Sequence, residues 1–310
     1  MLAGVAALML AVPVSASDDP NPPWPNLLPA LPISDSTQPG PVPHCRDGTM
    51  RCVNGNIARM RRAVDRFGCD HRGVFATTYL VLTQQLRKTL QANPHFFHDT
   101  RWLIYEDTVF ANYYFNAVSD YQRGLPVPGA WKVAFDNARR GDDNAAQDML
   151  LGINAHVQRD MPFVVATVGL RTPSGATRKP DHDVFNKILN DAYEPVVEAI
   201  ARRYDPAVSV TNAKWDPLDD ILGMETVKAW RENVWRNAER LVLAKTPAQR
   251  ALVVAGIEAN ATAWAHAIAD VQIPGYRRYR DAYCAHPSAS IPMPAPPRAL
   301  PSRPPRLPAL

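Results

Sequence analysis

The sequence predicts an all-α fold, a single-core bundle of about seven or eight helices flanked by proline-rich disordered ends. Three observations carry that prediction. Apolar residues recur at three- and four-residue spacing through the middle of the chain, the period of a helix packed on one face. No run alternates as a half-buried strand does. The prolines, 30 in 310 residues, crowd into residues 20–43 and 287–310, leaving the middle with ordinary globular composition. At 46% hydrophobic residues that middle is able to bury a sizeable core.

The expected divisions are a signal peptide at 1–16, a proline-rich linker at 17–43, an all-helical domain at 44–286 and a proline-rich disordered tail at 287–310. The first of these rests on the apolar run Leu2–Val14 and the small residues Val14-Ser15-Ala16, an A-x-A-like cleavage site. No Lys or Arg precedes Ser17, so the usual basic start is missing. The run is too short to span a bilayer, and no later segment offers 18 uninterrupted apolar residues. A secreted or periplasmic location without a transmembrane segment is expected. The linker and tail lack the spaced apolar pattern that folding needs; a flexible spacer is the plain reading, and contact of the tail with a partner or the cell wall is the functional one.

Within the domain, Ile57, Met60, Val64 and Phe67 share a face of a first helix from about Gly55, which stops at Gly68. A second helix is expected from about Val74 to Ala92, ending before Pro94. A third, aromatic one runs from about Thr100 to Gln122, with Asp99 as N-cap. After "LPVPGAW" comes a short helix near Lys132–Arg139, then one from about Asn144 to Leu170 that Pro162 should kink. Asp181 is expected to cap the next long helix. Two more cover about Asp219–Ala244 and Pro247–Asp270, and a short one spans Tyr276–Tyr283.

Four cysteines, Cys45, Cys52, Cys69 and Cys284, suit an oxidising compartment. Of three pairings, the one joining Cys52 to Cys69 is disfavoured. A helix between them holds its ends roughly 20 Å apart, whereas a disulfide needs Cα atoms within about 7 Å. Of the two left, the preferred is a local clip, Cys45–Cys52, with Cys69–Cys284 tying the C-terminal end to the first helix. No C-x-x-C pair supports a zinc knuckle. The formal charge of +4 is too small and dispersed to argue for nucleic acid.

The segments "GVFATTYLVLTQQL", "FANYYFNAV", "PGAWKVAFD", "GINAHVQRDMPFVV" and "DHDVFNKIL", in that order, resemble the family of domain of unknown function 5995. The likeness spans roughly Gly73 to Leu189 and falls off beyond Tyr204; "GINAHV" is its most specific piece. It implies a helical fold and, for a family without assigned activity, no mechanism. It carries over Gly152, Asn154, His156, Asp160 and Asp183. A shorter likeness, Gly152-x3-His156-x3-Asp160, is similar to a helix of zinc-dependent phospholipases C, whose further histidine ligands have no counterpart here.

On a helix, Gly152, His156, Arg159 and Asp160 share one face, and Gly152 leaves room for a close approach. A metal reading takes His156, Asp160 and Asp183 as nitrogen and oxygen ligands of a divalent cation. The plainer one is a buried hydrogen-bond network in which Asn154 and His156 fix helix register. Glu106, next to Asp107, is the candidate general base, with at most one of the two expected to be buried on a given face. Tyr113 is a candidate cavity-lining residue, and Gly152 and Asn154 complete the binding set. Nucleophile elbows and phosphate-binding glycine loops are absent from the sequence. Two functions follow: a noncatalytic extracellular binding or structural module whose core encloses an apolar groove, and a metal-assisted hydrolase on the Gly152–Asp160 face. The first is preferred because the ligand set is thin.

Overall fold

A computed structural model describes residues 45–141, 143–206, 208, 224–270 and 283. The expected signal peptide, both proline-rich ends, the start of the helix expected from Asp219, the helix expected at Tyr276–Tyr283 and Cys284 lie outside the described residues, Tyr283 excepted. Helices α1 (Met50–Phe67), α2 (Arg72–Ala92), α3 (Thr100–Gln122) and α4 (Gly129–Arg140) are followed by α5 (Ala145–Asn154). A π-helical turn, Ala155–Asp160, joins α5 without a break to α6 (Met161–Val168). Then come α7 (Lys179–Arg203), α8 (Met224–Leu243) and α9 (Pro247–Ala269). With α5, the π turn and α6 taken as one rod, the described residues form eight helices and no strand; Arg171 and Thr177 make only an isolated antiparallel bridge.

Local chemistry sets the helix ends. The Asp99 side chain accepts from the Trp102 N–H at 3.0 Å and starts α3 as expected. Gly68, at φ 57°, ends α1 by donating its N–H to Val64 O. Asn144 and Gln147 form a reciprocal capping box for α5, and Thr246 and Gln249 do the same for α9. Asp181 is not the cap of α7. That helix begins at Lys179 with Pro180 in its first turn, where a missing N–H costs nothing. The Asp181 carboxylate instead reaches across to accept the backbone N–H groups of His98 at 2.8 Å and Asp99 at 2.7 Å, tying α7 to the start of α3.

Helix α1 starts earlier than its apolar stripe suggests, at Met50, which puts Cys52 inside its first turn. The Cys45–Cys52 disulfide clips the preceding turn to that helix, with Cα atoms 5.8 Å apart. Cys69 is also disulfide-bonded.

One cluster forms the main core, contributed by α1 to α9 and including Phe75, Tyr79, Phe110, Tyr114, Trp131, Trp230 and Trp235. The pairs α1–α2, α2–α7, α4–α9 and α6–α8 make the closest neighbours, so α5, the π turn and α6 run through the middle. Helix α9 is long and apolar enough to cross a membrane by length and composition alone. Here Val253, Ile257, Ala261, Ala265 and Ile268 bury one face of it against the bundle. His266, beside Trp264, lies on the exposed side of that helix.

Candidate functional site

The central rod changes geometry where the polar cluster sits. Pro162 has no N–H to give residue 158, so the ordinary ladder cannot continue. The chain widens instead, and Met161 N–H bonds the His156 carbonyl five residues back. A kink was expected at Pro162; the irregularity falls in the turn just before it.

His156 is buried at 2% exposure in a box of aromatic rings. Phe110 stacks on it at 3.4 Å between centroids and 4° between planes, and Tyr79 lies at 4.9 Å, Phe75 at 5.5 Å and Trp131 at 5.8 Å. Burial holds its pKa down against the opposing pull of Asp160, so the ring stays neutral near pH 7. The Asp160 carboxylate accepts and does not donate. His156 Nδ1, 3.1 Å from Asp160 Oδ2, therefore carries the hydrogen and Nε2 carries the lone pair. That Nε2 is buried without a partner.

Asp160 is surrounded by donors. Its Oδ2 also accepts from Trp131 Nε1 at 2.8 Å, and its Oδ1 from Arg159 at 3.0 Å. Arg159 continues to Glu258 of α9 at 2.7 Å. Gly152, one turn earlier, faces Phe75 of α2: a Cβ built there would lie 2.6 Å from Phe75 Cβ. Asn154 donates to Ala261 O at 2.8 Å and accepts from Gln158 at 2.8 Å, bolting the rod to α9. Asp183 pairs with Lys179 at 2.7 Å, and Lys179 also with Glu232 at 2.7 Å. Burial raises the Asp183 pKa, with Lys179 opposing.

His156, Asp160 and Asp183 do not gather as a ligand set. Among the described residues, the one group of three such donor atoms within 4.8 Å of one another is Cys45, Asp47 and Cys52, and its sulfurs form the disulfide.

What the rod does border is a cavity of 140 Å³. Its walls are mostly apolar, from Phe75 and Leu86 of α2, Phe110 of α3, Ile153 of α5, and Phe185 and Ala192 of α7. Set among them are Glu106, Asp107, Tyr79, His156 and Arg231. Both members of the Glu106–Asp107 pair are buried, where at most one was expected on any one face, because α3 is enclosed on more than one side. Asp107 turns to α1 and accepts from Asn56 at 2.8 Å. Burial pushes its carboxyl up to about 6 despite that bond, and pushes Glu106 up to about 7, Arg231 partly opposing.

Glu106 Oε1 lies 3.9 Å from His182 Nδ1, beyond hydrogen-bond reach, and neither atom has a partner. His182 Nε2 is 3.0 Å from the Arg231 carbonyl, which only accepts, so Nε2 carries the hydrogen and Nδ1 the lone pair. Burial first, and then Arg231 and Lys179, hold the His182 pKa well down. The three Arg231 nitrogen positions all have partners: Asn186 at 2.8 Å, Met161 Sδ at 3.4 Å and the His182 carbonyl.

The structure thus brings Glu106 and His156 to one cavity, with Gly152 and Asn154 placing the rod that carries His156. It puts Asp183 in an ion-pair network, and Tyr113 packs against the core without being among the cavity's lining residues. Sequence reasoning missed Tyr79, Asp107 and Arg231 as cavity residues. Arg231 did leave a signal: it interrupts the apolar stripe of Val227, Trp230 and Val234 with a charge.

No curated protein and no solved structure matches the chain. A family profile described as a family of unknown function (DUF5995) matches residues 53–271, extending the likeness on both sides of Gly73–Leu189 and past Tyr204.

Proposed function

The chain belongs to the DUF5995 family, whose function is unknown, so its own residues must supply the reading, and we propose that it is a noncatalytic extracellular binding protein for a small, largely apolar molecule. One observation carries this: the 140 Å³ cavity, walled by aromatic and aliphatic side chains from five helices. An engineered apolar cavity of about 150 Å³ holds one benzene, which sets the scale of the ligand at a single ring or a short branched chain. The secretory leader and disulfide clip support an extracellular setting.

The metal-assisted hydrolase gains no comparable support. Asp160 is already held by Trp131, Arg159 and His156, and a cation there would have to displace a half-buried guanidinium contact.

Benzene titration into the purified protein, followed by NMR of the cavity methyl groups, tests the binding reading. Saturable shifts in the wild type that Ala192→Leu abolishes support it. Absence of any shift in the folded wild type overturns it.

A further inference from the structure

Three buried polar atoms on the cavity wall are unpartnered: Glu106 Oε1, His156 Nε2 and the Tyr79 hydroxyl, which can both donate and accept. Just behind Glu106, His182 Nδ1 is a fourth. His156 Nε2 and His182 Nδ1 are acceptors, because His156 Nδ1–H donates to Asp160 and His182 Nε2–H to the Arg231 carbonyl; Glu106 is one too once ionised, above its value of about 7. A buried acceptor without a donor is costly, and two of these stand 3.9 Å apart. The matching group on a ligand is a hydrogen-bond donor.

The surroundings narrow the donor further. Arg231 lines the cavity, with Lys179 acting on His182 from the start of α7, so positive charge already faces this end. An ammonium would be desolvated beside it. A carboxylate is disfavoured by Glu106, which lines the same cavity, and each nitrogen of Arg231 already donates once. A neutral O–H or N–H remains. The walls beside Glu106 are the rings of Phe75, Tyr79, Phe110 and Phe185, which favour a flat apolar body.

We infer that the cavity selects a neutral, single-ring aromatic donor of the phenol or indole class, whose O–H or N–H donates to Glu106 Oε1 beside His182 Nδ1. This rests on the binding reading above and adds the ligand's chemical class to it.

Calorimetric titration of the full chain with benzene, phenol, benzylamine and benzoate at about pH 8, where Glu106 is ionised, tests the inference. Phenol binds at least about tenfold more tightly than benzene, the size of one hydrogen bond to a charged acceptor. Benzylamine and benzoate bind more weakly than phenol. Glu106→Leu removes the phenol preference and retains benzene; Glu106→Gln, which conserves shape, lowers the preference and serves if the leucine variant does not fold. Equal affinity for benzene and phenol overturns the inference and leaves the cavity reading standing. Tightest binding of benzoate overturns it in favour of Arg231 as the recognising group, and tightest binding of benzylamine overturns the neutral donor. No binding of any of the four overturns both readings.

Discussion

Glu106→Gln should make the protein more stable above neutral pH, and the amount follows from the position of one proton. In the folded chain burial raises the Glu106 carboxyl from 4.5 to about 7. Unfolded, it titrates near 4.5. Between those values the folded state binds more protons than the unfolded one, so stability falls as pH rises through the window. The loss saturates above the folded value and amounts to about 3 kcal/mol, from about 1.4 kcal/mol per pKa unit. Glutamine keeps the shape and does not titrate, so the variant escapes that loss.

The assay is urea unfolding of both proteins at several values between about pH 4 and 8, read by far-UV circular dichroism. Asp107, raised to about 6, and Asp183, also raised, titrate in both proteins, as do His156 and His182. Taking the difference between variant and wild type removes them, apart from the coupling of Asp107 and Asp181 to Glu106 itself. That difference should grow with pH in the variant's favour by about 3 kcal/mol. A difference flat to within about 0.5 kcal/mol would refute the burial of an uncompensated carboxyl at this position.

Other perturbations probe the scaffold. Gly152→Ala gains about 1 kcal/mol of helix propensity but drives a methyl into the root of Phe75, and overpacking costs about 1–3 kcal/mol, so a lowered melting temperature is expected and an unchanged or higher one counts against the close approach. Asn154→Ala strands the Gln158 amide N–H and cuts the tie to the Ala261 carbonyl, and should cost about 2 kcal/mol in denaturant unfolding; a change under about 0.5 kcal/mol would show that the bolt to α9 is not structural. Replacing Cys45 and Cys52 together by serine opens a short loop and should cost about 2 kcal/mol, with no change in midpoint as the contrary result.

Helix existence and many ends were readable because their causes are local. Asp99 caps α3 by reaching three residues along its own chain, and Gly68 ends α1 through its own φ. Asp181 misled for the opposite reason. It has the chemistry of a cap, and Lys179-Pro180 in front of it already supplied the first turn, so its carboxylate was free to serve His98 and Asp99. The π turn was invisible to a periodicity count, since six residues are too few to set a period, and Pro162 signals a broken ladder without showing where the extra residue falls. The cavity needed long-range information: Glu106 and His182 are far apart in sequence, and only the tertiary placement of α3 beside α7 brings their open atoms to 3.9 Å.

The π turn has a consequence for the rod as a mechanical part. Each residue of an ordinary helix advances the direction of its side chain by about 100°. Winding 155–160 as an ordinary helix, with all six residues kept, would leave Gly152 seated on Phe75 and Asn154 bolted to Ala261. Beyond that point α6 would arrive rotated by about a quarter turn. Met161 would swing off Arg231, and Phe163 off Leu241, Val253 and Ile257. The widened turn is thus a phase shifter, letting one continuous rod keep step with α2 and α9 in its first half and with α8 in its second.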